Sequence, residues 1–346
     1  MADLTILGAG IFGLSVAWRC QQKGMAVRVI DPNGPGGGAS GGLVGALAPH
    51  VPENWNEKKA FQLDSLLMAQ TFWDEIEAAA GRSSGYARTG RVQPIADAHA
   101  LLLAKEREVT AKDLWGDHAS WQVVSADAIP ISLPSQTGMY TFDTLSARLH
   151  PRQACLALAR AIAVRGGEIV TKGVEEGRVL HATGASGFEA LNRAAGRVVG
   201  TGVKGQAALL NFAAPNVPQV FVDGLHIIFH ADGTTAVGST SETDFVQADG
   251  TDNQLDDVLN RAYRAFPALV GAPVIERWAG LRPRAKSRAP MLGVHPLYPD
   301  QFVANGGFKI GFGMAPKIAN VMADLILDGK DQVPEAFRPE ASLPSE

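Results

Sequence analysis

The stretch Leu4-Thr5-Ile6-Leu7-Gly8-Ala9-Gly10-Ile11-Phe12-Gly13, continued by a helix-like run to Lys23 and by Ala26-Val27-Arg28-Val29-Ile30-Asp31, decides the fold. Leu4 to Leu7 is a short apolar strand of the buried kind. Gly8 permits the tight turn, Gly10 lets a pyrophosphate approach the backbone, and Gly13 lets the following helix pack on the strand. The helix predicted over 11–23 carries Leu14, Ala17 and Trp18 on one face and stops at Gly24. Its first turn offers unbonded N–H groups and a positive dipole end to phosphates. The second strand, over 26–30, ends in Asp31, 18 residues after Gly13. A carboxylate there accepts hydrogen bonds from ribose hydroxyls and repels a 2′-phosphate. Strand, turn, helix, strand and acid make a complete dinucleotide-binding unit, and Pro32 extends its edge.

The rest of the chain sets bounds. Its 346 residues suit two domains of roughly 150 residues each. With 46% hydrophobic and 19% charged residues, it can bury a core and does not read as disordered. Lys and Arg number 31 against 35 Asp and Glu, which argues against a duplex nucleic-acid binder. The 38 glycines imply many backbone positions of positive φ or close approach. Cys20 and Cys155 cannot build a zinc ribbon or a disulfide framework. Both fall in predicted helices and read as small buried hydrophobes in a reducing compartment. Met1-Ala2-Asp3 carries no basic leader region, and no apolar run is long enough to span a bilayer. A cytoplasmic protein without a membrane partner is expected.

Past the first unit, residues 33–45 are Gly-rich and 57–80 have helical spacing, with Phe61, Leu66, Phe72 and Ile76. Residues 88–95 read as strand, and 96–140 as a mixture of short helices and strands around Trp115 and Trp121. A helix is predicted over 151–165 with Pro151 in its first turn. Strands at 168–174 and 179–182 lead to Thr183-Gly184. From 200 to 245 strands alternate with turns at Asp223-Gly224 and Asp232-Gly233. An amphipathic helix over 253–266, strands over 274–278 and 302–305, and a helix over 316–327 follow. The fold class expected is α/β: a Rossmann-type nucleotide-binding domain interrupted by a mainly antiparallel-sheet α+β substrate domain. The first would comprise 1–85, 148–200 and 275–335, the second 86–147 and 201–274, with a loose tail over 336–346.

Three further motifs join the glycine turn and Asp31. They are Gly38-Ala39-Ser40-Gly41-Gly42-Leu43-Val44-Gly45-Ala46, Trp278-Ala279-Gly280-Leu281-Arg282-Pro283, and Gly306 to Met314 before the last helix. In this order the set resembles the FAD-dependent amine oxidases of the D-amino-acid oxidase superfamily, over nearly the whole chain. Glycine oxidase and the oxidase half of the bifunctional tRNA-uridine modification enzyme look most similar. The resemblance implies FAD, non-covalent here because neither cysteine lies at the C-terminal motifs. It implies that Gly8, Gly10, Ile11, Phe12, Gly13, Asp31 and Pro32 hold the ADP half. Ala39, Ser40, Gly41, Gly42, Leu43 and Val44 would line the pyrophosphate and flavin. Val174 would touch adenine, and Thr183 and Gly184 would close over the same half. Phe308, Lys309, Gly311, Phe312, Gly313 and Met314 would follow the pyrimidine edge, where backbone N–H groups and a helix dipole meet developing negative charge. Arg282 would pair bidentately with a substrate carboxylate, which a planar guanidinium suits.

Two departures stand out. The similar oxidases carry a tyrosine in the strand where this chain has His226-Ile227-Ile228-Phe229-His230, with Ile227 near its position. Between the adenine-contacting valine and the next strand only Glu175-Glu176-Gly177-Arg178 remain of a hairpin. His226 and His230 are too far apart along a strand to chelate one metal, and no metal is expected. His230 and His50 fall on the substrate side by analogy, placed to tune a bound amine. Gly38-Ala39-Ser40-Gly41-Gly42 also matches a Gly-x-Ser-x-Gly nucleophile elbow, but Pro32 to Gly37 cannot be the central strand that elbow needs.

The expected activity is oxidation of the C–N bond of a small amine or amino acid by hydride transfer to flavin, with molecular oxygen or another acceptor taking the electrons. Three other readings remain open. One is a tRNA-uridine carboxymethyl-removing oxidase, against which stand the acidic charge and the missing methyltransferase half. The others are a nicotinamide-dependent dehydrogenase and a flavin-binding protein without turnover.

Overall fold

The computed structural model describes residues 1–343. The chain opens with β1 (Leu4–Leu7), α1 (Ile11–Gln22), β2 (Val27–Ile30), β3 (Ala46–Leu47), α2 (Glu57–Ala80), β4 (Arg91–Pro94) and α3 (Ala98–Trp115). It continues with β5 (Trp121–Ser125), β6 (Met139–Asp143), β7 (Ala147–Arg148), α4 (Pro151–Val164), β8 (Glu168–Val170), β9 (Arg178–His181) and α5 (Gly184–Ala195). Then come β10 (Gly200–Leu210), β11 (Gln219–Val222), β12 (Leu225–Phe229), β13 (Thr235–Gly238) and α6 (Asn253–Ala265). The last are β14 (Val274–Ala285), β15 (Met291–Val294), β16 (Phe302–Asn305) and α7 (Gly311–Asp328).

These make two large sheets. The first has the order β15-β16-β9-β1-β2-β8 and is parallel except for the β15 edge. Helices α1, α2, α4 and α7 pack together beside it around Leu14, Trp18, Phe72, Trp73 and Ile318. That is the Rossmann-type half, with the C-terminal ends of β1, β2 and β9 opening on one crevice. The second sheet has the order β14-β10-β13-β12-β11-β4-β6-β5 and is antiparallel except at the β4–β11 pair. Alternation decides its faces. Leu225, Ile227 and Phe229 of β12 pack with Leu255, Val258 and Leu259 of α6, whereas His226, Ile228 and His230 turn the other way.

Local chemistry explains the helix ends. Asn56, Asp97 and Asp252 cap α2, α3 and α6 by accepting N–H bonds. Gly81 and Gly329 end α2 and α7 in the left-handed conformation.

Several sequence expectations need correction. Within 96–140, α3 is one helix of 18 residues, because Asp97 nucleates it and its inner face packs on β5. The strand expected over 168–174 ends at Val170. A helix, α5, starts where only the Thr183-Gly184 turn was foreseen. β14 does not stop at Trp278 but runs to Ala285, in unbroken register with β10 from Glu276 onward, so 276–285 belong to the large sheet. The tail is not loose over 336–343. Phe337 is fully buried and meets Phe61 edge-on at 5.0 Å, and Ser342 is buried too; the remainder of that tail lies outside the described residues.

Candidate active site

One cleft of about 950 Å³ runs between the two sheets. Its first part is built by the glycine turn. Gly8 has φ +111° and a side chain there would overlap the Ala182 carbonyl. Gly13 does not line the cleft; a Cβ on it would overlap the Gly8 carbonyl, so its role is to bring α1 against β1. Gly10, Ile11 and Phe12 do line the cleft at the start of α1. That helix has no side chain of its own capping it; Ile11 N–H donates to Ser40 Oγ at 3.0 Å. The two Asp31 oxygens accept from Ala9 N–H (2.8 Å) and Asn33 N–H (2.9 Å), fixing the carboxylate at the crevice beside Pro32. Thr183 and Gly184 form the opposite rim.

Along the middle lie Ala39, Ser40, Gly42, Leu43 and Val44. Gly41 is turned away, packed on the Gly36 carbonyl, while its own carbonyl accepts from Arg152 Nε at 2.7 Å. Gly42 leaves room for the Trp278 ring. At the far side, Phe308, Lys309, Gly311 and Phe312 line the cleft where α7 begins, again without a side-chain cap. Phe308 holds φ +42°, and its N–H donates to the Pro283 carbonyl at 3.0 Å. Gly313 and Met314 are already inside α7. Gly313 faces Leu66 and Met314 is fully buried, so neither touches the cleft.

Val174 is also misplaced by the sequence reading. With β8 ending at Val170, the short segment after it turns outward; Val174 is 75% exposed and outside the cleft, and its carbonyl accepts from Arg28.

The part of the cleft against the second sheet is cationic. Arg282 lines it, its guanidinium lying over Gly205 of β10, where any side chain would overlap it. Among the described residues its one hydrogen bond is Nη1 to the Thr240 carbonyl, 3.1 Å. Burial lowers its pKa to about 10, with Glu242 pulling the other way, so it stays charged. Lys309 is also pushed down by burial, then by Arg282 and Arg284. His50 sits on the wall held by Gln62, whose Oε1 accepts its backbone N–H at 2.8 Å; burial lowers the imidazole pKa.

His230 is not in the cleft. It is fully buried, with Nε2 3.0 Å from the Leu43 carbonyl and its ring 4.6 Å from His150. His226 takes the place on the wall. Ile227, which the sequence reading put near the tyrosine position, faces the α6 core, so the cleft-facing side chain of this strand is His226. Its ring lies 4.6 Å from that of Phe221, and its Nδ1 is buried with no hydrogen-bond partner among the described residues. Burial, and then the charges of Arg91, Lys309 and Arg282, lower its pKa to about 3, so it is a neutral imidazole. Arg91 and Phe221 are further cleft residues that the sequence reading missed. The signal available for Arg91 was a charged residue beside Val92 in an otherwise apolar strand.

No group of His, Cys, Asp or Glu able to hold a metal occurs among the described residues. No helix there is long and apolar enough to cross a membrane. Cys20 and Cys155 are buried free thiols, both pushed up to about 12 by burial.

A Rossmann-type sheet, two helix N-termini on one elongated cleft and a second sheet beside it define a dinucleotide-binding protein. The family follows from comparison: residues 3–325 match the family of FAD dependent oxidoreductases, and the chain belongs to it. It is 27% identical to glycine oxidase of Pseudomonas putida, over 99% of both chains. It is also 27% identical to a putative thiamine biosynthesis oxidoreductase ThiO of Rhizobium etli, over 95% of this chain and 98% of that one. Against the bifunctional protein ThiO/ThiG of Synechocystis the identity is again 27%, and there the chain spans about half of the relative, 54%. Among solved structures, glycine oxidase of Geobacillus kaustophilus superposes with a TM-score of 0.85 at 19% identity, covering 97% of this chain and 98% of that one. Iminodiacetate oxidase of Chelativorans gives 0.84 at 21%, covering 97% and 98%. The cofactor of this chain is FAD, and the cleft fits it: the side-chain-free cradle at Gly8 and Gly10 suits a pyrophosphate, and the α7 N-terminus suits an anionic ring edge.

Proposed function

We propose that the protein oxidises the C–N bond of a small amino acid or carboxylate-bearing amine. The observation that carries this reading is Arg282: a half-buried guanidinium on the cleft, given space by Gly205 and bonded to no carboxylate among the described residues. FAD would be held by the Gly8–Gly13 turn and Asp31 at its ADP half, and by Gly42, Leu43, Phe308 and Lys309 farther along. FAD when bound supplies the two-electron acceptor for the α-hydrogen.

The protein's part is positioning. Arg282 binds the substrate carboxylate through its unused N–H groups and so fixes which face of the α-carbon is presented. The His226 imidazole is neutral and lines the same wall, so it adds no charge beside the amine. The three cations around it disfavour a bound ammonium, which helps the amine react as its free base. His50 and Gln62 close the opposite wall. The imine product hydrolyses to a carbonyl compound, and turnover needs an electron acceptor, molecular oxygen or another.

The test is anaerobic mixing of the FAD-loaded protein with glycine, sarcosine, D- and L-amino acids, and matched amines lacking the carboxylate. Bleaching of the flavin by carboxylated amines alone is the expected result. No bleaching by any of them, or equal bleaching by carboxyl-free amines, would overturn the reading.

A further inference from the structure

The substrate end holds a second guanidinium that the reading above does not use. Arg91 lies on β4, whose neighbour in the sheet is β11 and then β12. Its partner in the antiparallel ladder is Asp143 of β6. Arg91 Nε donates to Asp143 Oδ2 at 3.0 Å, and this pair is buried. Asp143 also accepts from Ser146 N–H (2.7 Å) and Ser146 Oγ (3.0 Å), so it is fully engaged in holding one edge of the guanidinium. The guanidinium lies over the Phe221 ring, 5.8 Å from its centroid. Its two Nη groups have no protein hydrogen-bond partner among the described residues, and the residue lines the cleft. A guanidinium fixed at Nε and stacked on an aromatic ring presents its remaining N–H fork in one direction, as carboxylate recognition requires.

Arg282 and Arg91 cannot grip the same carboxylate. One guanidinium lies over β10 and the other over Phe221 of β11, with β13 and β12 between. Three strand steps span ~14 Å on a flat sheet at ~4.8 Å per step, and less where a twisted sheet curls. A carboxylate oxygen reaches a guanidinium nitrogen at about 2.7–2.9 Å. The gap therefore takes two acidic groups with a few bonds between them. His226 stands on β12, in the middle, where the nitrogen of such a molecule would lie. The charges of Arg91, Lys309 and Arg282 all bear on His226. Of the nearby carboxylates, Asp143 is bonded to Arg91, Glu242 lies 3.5 Å from Lys204, and Asp249 is on the cleft wall.

Resting on the amine-oxidation reading, we propose that Arg91 forms a second anion subsite and that the preferred substrates are amino dicarboxylates, with one carboxylate on Arg282, the other on Arg91 and the amine facing His226.

The experiment separates binding from turnover. Thiodiacetate, which cannot be oxidised as an amine, and its one-acid counterpart (methylthio)acetate are titrated into the FAD-loaded protein and followed by the flavin spectrum and by calorimetry. Tenfold or tighter binding of the diacid is expected. In Arg91→Met/Asp143→Asn, which removes both buried charges together, the ratio falls to within about threefold of one; Arg91→Lys, which keeps the charge and loses the fork, falls between. Equal binding of the two acids by the wild-type protein overturns the proposal without any variant. So does a ratio that the Arg91 variants leave unchanged. Iminodiacetate against sarcosine, and D-glutamate against D-glutamine, then compare anaerobic flavin reduction, where the diacids should show the higher kcat/KM. Amines that bleach the flavin with no preference for a second acid sink the subsite alone. Diacid binding that depends on Arg91, with no bleaching by any amine, supports the subsite and sinks the oxidase reading.

Discussion

Arg282 is charged, half-buried and, among the described residues, held by a single carbonyl, so its loss falls on ligand affinity more than on folding. Arg282→Ala should weaken carboxylate ligands by about 2–3 kcal/mol, the size of a charged hydrogen-bonded contact; a spectral titration of the flavin measures it. Gly205 offers a second approach to the same group. Its backbone is not in the left-handed region, and the atoms a methyl group would meet are the mobile end of the Arg282 side chain. Gly205→Ala should therefore leave the melting temperature nearly unchanged and still lower carboxylate affinity at least tenfold, because the guanidinium must swing aside. Arg282 was legible in the sequence because it sits in a short motif, Gly280-Leu281-Arg282-Pro283. Arg91, Phe221 and His226 were not. They meet only because β4, β11 and β12 become neighbours, and that strand order joins residues more than a hundred positions apart.

Among elements, the glycine turn with α1 was read correctly from sequence, since each glycine answers a local demand of the backbone. Gly8 combines φ +111° with a carbonyl that cannot move away. Gly8→Ala should yield protein that purifies with little or no flavin and melts earlier, by roughly 2–3 kcal/mol or more; absorbance of the purified protein and a thermal scan check both. The glycines of the last motif divide unevenly. Gly311 lines the cleft while Gly313 packs on Leu66, a distinction set by the helix turn and invisible in the one-dimensional motif. The length of β14 was underread for a related reason: Gly280 and Pro283 look like strand breakers until β10 is alongside.

The whole molecule carries several imidazoles held neutral by burial. His226 is lowered to about 3 and His230 and His295 to about 4, each chiefly by desolvation. In the unfolded chain they titrate near 6.5. Above that value neither state binds the proton and these groups do not affect stability. Below it the unfolded chain takes up protons that the folded protein refuses, so stability falls as pH drops from 6.5 toward about 4. Each imidazole adds a slope of up to about 1.4 kcal/mol per pH unit. Because carboxylates titrate lower, the decline between pH 6.5 and 5 belongs to the histidines. His230→Gln should make the decline over that interval shallower by one imidazole's share in thermal scans across pH.

The ladder of β10 against β14 starts at Gly200 opposite Ala285, beside α5 of the Rossmann-type half, and ends at Leu210 opposite Val274, beside α6. Both strands belong to the second sheet, so this long ladder is the rail that carries Arg282 from that sheet toward the Rossmann-type half. The coil after β13 adds Ser239, Ala248 and Asp249 to the same cleft wall.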